Sequence, residues 1–468
     1  MKRLFGTDGI RGVVNQTLTG DLAYKVGLAT AKLLTTNSFR DVKSSPFMDE
    51  KPVVLIGTDT RPSKDLIFSG IACGLTAGGI NVITVSILPT PAIAYLTKKY
   101  DFVSVGIMIT ASHNPKEYNG IKIIGPDGYK LHDRLEEQVE NLISSISDKT
   151  ISTFFAENPG TISYNFIESA KNDYMNFLKN LYLYKNNCEL KIAVDCCNGA
   201  ASTCKGIFDE LGINADIYNV DLSGNKINDG CGSTCIEFLQ NKVNYGVYDC
   251  AIAFDGDADR CLLVDKNGHI VDGDYLLAII GSYLKDSGKL TNNTIVGTIM
   301  SNLGLIRFCE NKGIKFLSTK VGDKYVLEEM ITNNSSLGGE QSGHIILKDY
   351  ATTGDGLLTA LMILNIMNQT KKPLHILKQE MVKYPQISTQ ITATPEEKNA
   401  FVANSNLINS INELVESTLG NDGRAVVRPS GTENYIRIMV EGKDEDVIRK
   451  LCKNIVNHLK VRLDMYLK

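Results

Sequence analysis

Three stretches of the chain repeat one arrangement of hydrophobic and polar positions. An apolar run is followed by a turn rich in Gly, Asp and Asn, a segment with helical spacing, a Gly-Ile pair and a second apolar run. The first stretch is PVVLIGTDTRPSKDLIFSGIACGLTAGGINVITV, the second KIAVDCCNGAASTCKGIFDELGINADIYNV, the third TIVGTIMSNLGLIRFCENKGIKFLST. Gly79, Gly212 and Gly313 stand where each helical segment should stop, and the residues after them turn β-rich. Strand, crossover helix and parallel strand define an α/β class. Three such units predict three related α/β domains with mixed sheets.

Beyond about residue 372 the pattern changes. ISTQITAT, GRAVVRPSG and NYIRIMVEG alternate as antiparallel strands do, and helical spacing covers 396–418 and 443–466. This is a fourth, α+β domain. The expected division is 1–155, 156–252, 253–371 with the metal and sugar loops, and 372–468 with a phosphate loop. Residues 37–51, NSFRDVKSSPFMDEK, read as a surface loop.

Length agrees with this count, since 468 residues at ~100–200 per domain make three or four. A hydrophobic fraction of 43% with 22% charged residues is that of a globular protein, and a net charge of -4 gives no footprint for nucleic acid. Eleven cysteines without a CxxC pair fit a reducing compartment, neither a disulfide framework nor a zinc site; Cys196 and Cys197 read as small buried residues. The N-terminus has no apolar signal region, and LLTALMILNIM at 357–367 is far shorter than the ~18 residues that span a bilayer. The expectation is a cytoplasmic protein with small-molecule partners, no nucleic acid and no membrane.

The chemistry concentrates in four places. Ser112 follows the buried strand FVSVGIMIT, at the strand edge where open α/β sheets bind ligands, yet Ser, Asn and Pro also make ordinary turns. A Ser-His hydrolase is disfavoured, because no G-x-S-x-G elbow surrounds Ser112 and adjacent side chains on an extended chain point apart. In AIAFDGDADRCLLVD, Asp255, Asp257 and Asp259 alternate past an apolar strand, which aims three carboxylates one way with small residues between them. Three such charges ask for a hard divalent cation with oxygen ligands; the competing reading is a solvated acidic turn. An EF-hand is excluded by Arg260 and Lys266 at its glycine and glutamate positions. Magnesium keeps coordination positions for phosphate oxygens, and a phosphoryl group on Ser112 would supply one.

VVRPSGTENYIR offers Arg428, Ser430, Gly431, Thr432 and Arg437 as a phosphate cradle, or as a hairpin turn with surface arginines. LGGEQSGHIIL places Glu340, Ser342 and His344 in a Gly-rich loop suited to sugar hydroxyls.

TASHNP, DGDADR, GEQSGH and RPSGTE, in this order along the chain, resemble the α-D-phosphohexomutase superfamily. FGTDGIRG, GGEQSGH and TTGDG resemble its bacterial phosphoglucosamine mutase branch most closely. The resemblance implies four domains around a central cleft, with Ser112 as the phosphoryl carrier and Asp255, Asp257 and Asp259 holding one magnesium ion together with it. It implies Arg11, Lys122 and His344 around the transferred group, Lys122 as general base or charge stabiliser. Arg260, Lys324, Glu340 and Ser342 would contact the substrate, and Arg428, Ser430, Gly431, Thr432 and Arg437 the phosphate that does not react.

The implied reaction interconverts glucosamine 6-phosphate and glucosamine 1-phosphate through a hexosamine bisphosphate, which also serves as activator, and feeds UDP-N-acetylglucosamine synthesis. A homodimer is allowed. Three positions depart from the family pattern: Ala258 for glycine, Lys324 for arginine and Asn434 for proline. Two other readings stand beside this one: a phosphoglucomutase or phosphomannomutase with the same machinery, and an inactive sugar-phosphate-binding regulator. Gln341, where those mutases carry Glu, argues for the amino sugar. The regulator predicts loss of the serine or an aspartate, and neither is lost.

Overall fold

The computed structural model describes residues 3–6, 8–36, 51–185, 188–243, 246–430 and 434–466. The loop expected at 37–51 lies, but for Lys51, outside the described residues. The first sheet contains β1 (Phe5–Gly6), β2 (Gly9–Val13), β3 (Val53–Thr58), β4 (Asn81–Ile87), β5 (Val105–Ile109), β6 (Tyr118–Ile124) and β7 (Ile162–Ser163). Its order is β1-β2-β6-β5-β3-β4-β7. The second holds β8 (Lys191–Asp195), β9 (Asn214–Tyr218), β10 (Cys250–Phe254), β11 (Cys261–Asp265) and β12 (Ile270–Val271), in the order β12-β11-β10-β8-β9. The third joins β13 (Thr294–Thr298), β14 (Lys315–Thr319), β15 (Leu337–Gly339) and β16 (Ile345–Leu347), ordered β14-β13-β15-β16.

Each repeated stretch forms the parallel pair it predicts: β3 with β4, β8 with β9, β13 with β14. Gly79, Gly212 and Gly313 all have positive φ, at 85°, 70° and 62°, the left-handed stop that glycine enters without a Cβ clash. All three sheets are mixed, because hairpins such as β5–β6 and β10–β11 add antiparallel strands.

The boundary expected near 252 needs correction. It falls inside β10, and β10 to β12 bond into the second sheet through β8, so the aspartate loop belongs to the second unit. The reading failed because an apolar run followed by a turn looks the same whether it opens a domain or closes one.

The helix Gly356–Thr370 is apolar nearly all round and is buried, as such a helix must be in a globular protein. It packs against the helices Ile167–Leu181 and Gly273–Asp286, inside one hydrophobic core that runs through the first three units. All eleven cysteines are free thiols, and Cys196 and Cys197 are buried. Among the described residues no helix is long and apolar enough to cross a membrane.

The fourth domain has its own core beneath an antiparallel sheet of β17 (Gln386–Thr392), β18 (Gly423–Pro429) and β19 (Tyr435–Gly442), ordered β17-β19-β18. The helical stretch expected over 396–418 is two helices, Pro395–Ala403 and Ser405–Leu419, because the Asn404 side chain caps the second by accepting from Leu407 N–H. Glu441 docks this domain on the third unit. Its buried carboxylate accepts from Leu303 N–H at 3.1 Å, Asn302 Nδ2 at 3.2 Å and Arg424 Nε at 2.5 Å, while Arg424 also reaches Ser301 O.

Asn302 N–H donates in turn to the buried Asp274, whose pKa is pushed from 3.8 to about 7 by burial and by Asp272, against the pull of that N–H. The folded chain therefore keeps a proton that the unfolded chain releases near its ordinary value. Stability from this group is full below that value and is lost as pH rises through about 7. Asp274→Asn keeps the acceptor and removes the titration, so its melting temperature should exceed the parent's at pH 8 and not at pH 4. An equal shift at both would remove the account.

Candidate active site

β3 and β5 are parallel neighbours, so the loops that follow them open at the same sheet edge. Ser112 sits in the loop after β5, 1% exposed and in the left-handed region with φ 51°. Its Oγ donates to Asp255 Oδ2 at 2.7 Å and lies 3.3 Å from His113 Nδ1. The expectation that the two side chains point apart does not hold, because the chain is bent here and not extended. Burial, with Arg260 and Arg11 nearby, lowers the His113 pKa to about 4.

One carboxylate oxygen from each of Asp255, Asp257 and Asp259 lies within 4.8 Å of the others, all buried. The convergence predicted from alternation is real, but its cause is different. β10 ends at Phe254, and the three residues occupy a turn in which Ala258 takes φ 55°. Gly256 makes room for protein, since a Cβ there would meet Ser112 O at 2.6 Å and Asn228 Nδ2 at 2.9 Å. Burial, then Asp259 and Asp257, push the Asp255 pKa well up.

Cations surround the cluster. Lys122 Nζ, 1% exposed, lies 2.9 Å from Asp257, 3.0 Å from Asp8 and 3.5 Å from Asp259. Burial opposes its charge, but these carboxylates prevail and hold its pKa well above the usual lysine value. Arg260 Nε stands 4.0 Å from Asp255 and 3.9 Å from Asp259. Arg11 pairs with Asp8 and reaches Asn114 Oδ1 of the serine loop at 3.3 Å. His344 Nε2 accepts from Gly354 N–H at 3.0 Å, which turns Nδ1 toward Asp259 at 3.6 Å. A Cβ on Gly354 would strike that ring at 2.6 Å, which explains the glycine in TTGDG.

Asp257 Oδ1 and Asp259 Oδ1 are buried with no hydrogen-bond partner. Hard oxygen donors at this spacing fit a divalent metal ion, and Ser112 stands beside them.

The other expected residues divide. Glu340 accepts from Gly322 N–H at 3.0 Å, and Ser342 Oγ is buried without a partner. Lys324 pairs with Asp133 and lines a cavity of about 300 Å³ with Lys130, Asp323 and His344. Arg428 and Arg437 face each other across β18 and β19 and line a second cavity of about 420 Å³, together with Met300 of the third unit. Burial and Arg437 lower the Arg428 pKa, so an anion between them would relieve the repulsion. Ser430 is buried at the end of β18, and Gly431 and Thr432 lie outside the described residues.

Sequence reasoning missed Asp8, Lys130 and Thr90. Asp8 binds Arg11, Lys122 and Lys130; Lys130 joins Asp8 to Asp323; Thr90 Oγ1 donates to Asp257 Oδ2 at 2.5 Å. Asp8 lies in FGTDGIRG, already a quoted motif. Thr90 and Lys130 carry no local signal, because the partners that give them meaning are distant in the chain, Asp257 for Thr90 and Asp8 and Asp323 for Lys130.

Four family profiles match the chain: Phosphoglucomutase/phosphomannomutase alpha/beta/alpha domain I over residues 2–150, domain II over 172–268, domain III over 272–384, and the C-terminal domain over 391–458. The chain belongs to this family, the α-D-phosphohexomutases, and is a mutase by class. It is similar over its whole length to the phosphoglucosamine mutase of Acetivibrio thermocellus, at 44% identity over 99% of this chain and 100% of the relative. That of Clostridioides difficile is 43% identical over the same shares. A Phosphoglucomutase/phosphomannomutase family protein from Burkholderia thailandensis has the same fold, with a TM-score of 0.79 at 22% identity over 98% of both chains. So does Aspergillus fumigatus N-acetylphosphoglucosamine mutase, solved with GlcNAc-6P and magnesium, with a TM-score of 0.67 at 16% identity over 97% of this chain and 95% of that one.

Ala258 is buried and holds a conformation that costs an L-residue ~1–2 kcal/mol. Ala258→Gly should stabilise the chain by about 0.5–1 kcal/mol after glycine's greater chain entropy is subtracted. Denaturant unfolding checks this, and a loss of stability would contradict it.

Proposed function

We propose that this chain interconverts glucosamine 6-phosphate and glucosamine 1-phosphate, with Ser112 as the phosphoryl carrier and a hexosamine bisphosphate as intermediate and activator. The observation that carries the reading is the Ser112 hydroxyl at 2.7 Å from Asp255, inside a buried three-carboxylate cluster. Full-length similarity to named phosphoglucosamine mutases supports the choice of sugar.

In the forward half, a sugar hydroxyl attacks the phosphoryl group on Ser112. The new P–O bond forms as the bond to Oγ breaks, and the sugar's proton passes to a neighbouring base. The bisphosphate turns over, and Ser112 takes the other phosphate. Asp255, Asp257 and Asp259 would hold magnesium, which supplies charge neutralisation on the phosphoryl oxygens. Lys122, kept as an ammonium by three carboxylates, suits stabilisation of that charge better than proton abstraction. Arg11, Arg260 and His344 converge on the same place. Glu340 and Ser342 offer groups for the sugar hydroxyls, and the partnerless Ser342 hydroxyl fits a substrate contact. Arg428 and Arg437, with Ser430, Gly431, Thr432 and the more distant Lys324, are the groups proposed for phosphate binding.

The decisive assay compares kcat/KM for glucosamine, glucose and mannose 6-phosphates with magnesium and bisphosphate primer. Preference for the amino sugar supports the proposal; preference for another keeps the mechanism and overturns the substrate. Chelation should abolish turnover and added magnesium restore it, while Ser112→Ala should lose it by at least about 1000-fold. An inactive regulator would show sugar-phosphate binding with no turnover in the parent chain. A cytoplasmic location and a homodimer complete the reading. Sedimentation of the intact chain tests the second, and a single species of 51.3 kDa would remove it.

A further inference from the structure

The serine loop has an unusual backbone. Between residues 112 and 118 four carbonyls, those of Ser112, Asn114, Pro115 and Tyr118, turn inward to one side chain. That side chain is Arg61, from the loop after β3, and it is 0% exposed. Its Nη2 donates to Ser112 O at 2.8 Å and Asn114 O at 2.7 Å, its Nη1 to Pro115 O at 2.5 Å and Tyr118 O at 2.9 Å. Nε donates to Asp59 Oδ2 at 2.9 Å. A guanidinium has five N–H groups, and all five are used.

The remaining ties come from both sides. Asn228, from the second unit, donates through Nδ2 to Ser112 O at 2.9 Å and Asn114 O at 3.0 Å. Ser112 N–H donates to Thr110 Oγ1 at 2.8 Å, and that hydroxyl donates to Asp59 Oδ2 at 2.7 Å. Both peptide groups flanking the Ser112 Cα are therefore fixed, the amide through Asp59 and the carbonyl through Arg61 and Asn228.

We propose that Arg61 and Asn228 are positioning residues that hold Ser112 in its left-handed conformation, with Oγ aimed at the aspartate cluster. The inference rests on the reading of Ser112 as phosphoryl carrier. A serine at φ 51° is strained, and such a conformation persists only where its surroundings over-determine it. Released, Ser112 would rotate toward an ordinary turn, and Oγ would leave the line of transfer. A displacement of about 1 Å is enough to cost roughly 100-fold in rate. Lysine cannot substitute, since its three donors cannot satisfy five acceptors in a plane.

The test uses the full chain and four variants, Arg61→Lys, Arg61→Ala, Asn228→Ala and Ser112→Ala, each checked for folding by its thermal melt. Arg61→Lys should lower kcat about 100-fold and Asn228→Ala about 10-fold, with KM for the sugar phosphate within about threefold, because the proposed substrate contacts are untouched. Guanidinium ion added to Arg61→Ala should restore part of kcat, which a general loss of packing would not allow. If Arg61→Lys does not fold, Asn228→Ala carries the test. A folded Asn228→Ala with unchanged kcat, or variants whose KM rises while kcat holds, overturns the positioning role. An active Ser112→Ala overturns the reading of the serine itself, whatever the other variants do.

Discussion

Three carboxylates cannot be buried within 4.8 Å of one another without cations beside them, and the tertiary structure meets that requirement from several units at once. Lys122 arrives from β6 and Arg260 from the aspartate loop itself. His344, from the third unit next to β16, adds an N–H donor at Nδ1 facing Asp259. Asp8 and Lys130 extend the cluster into an alternating network that reaches Asp323. Deleting one partner of a buried ion pair costs about 3–5 kcal/mol, so the relative placement of the first three units is tied to this site. A metal ion would add charge where Lys122 now bears most of the burden.

The fourth domain presents the opposite problem. Arg428 and Arg437 are directly opposed on neighbouring strands, and like charges in that relation repel. Glu441, one strand-end away, takes no part in relieving them, because Arg424, Asn302 and Leu303 occupy it in docking the domain. The aspartate loop thus gathers carboxylates that suit a metal, and the fourth domain sets two arginines side by side in an arrangement that suits a phosphate. A reaction that moves phosphate between two ends of one sugar needs a reacting position and a holding position.

The repeating units, their crossovers and the antiparallel fourth domain were legible in the chain, because hydrophobic period and glycine stops are local properties. Gly79, Gly212 and Gly313 show this directly, each adopting the positive φ that its place in the pattern implied. Which sheet owned β10 was not legible, since pairing is a property of two segments. The site divided along the same line. Ser112 and the three aspartates stood out by type and spacing, while the alternation argument for the aspartates reached the right convergence from the wrong backbone. Thr90 and Arg61 gave no sign, although GTDTRPS follows an apolar strand as TASHNP does. The role of Thr90 exists because the second unit brings Asp257 against it, and that of Arg61 because β3 and β5 are neighbours.

Burial of the serine bears on which acceptor it can serve. A phosphoryl group stored on a hydroxyl can pass to a sugar or to water, and water is the more abundant acceptor. Ser112 is 1% exposed and Asp255 fully buried, so a water molecule has little access to the line of attack from the protein side. A sugar phosphate anchored at its far end could occupy that approach and exclude solvent with its own ring. The left-handed serine, the cations packed around the aspartates and the opposed arginines then act on one problem. With Ser112 as the proposed phosphoryl carrier, they would favour transfer to a bound sugar over loss to solvent, and would do so by position.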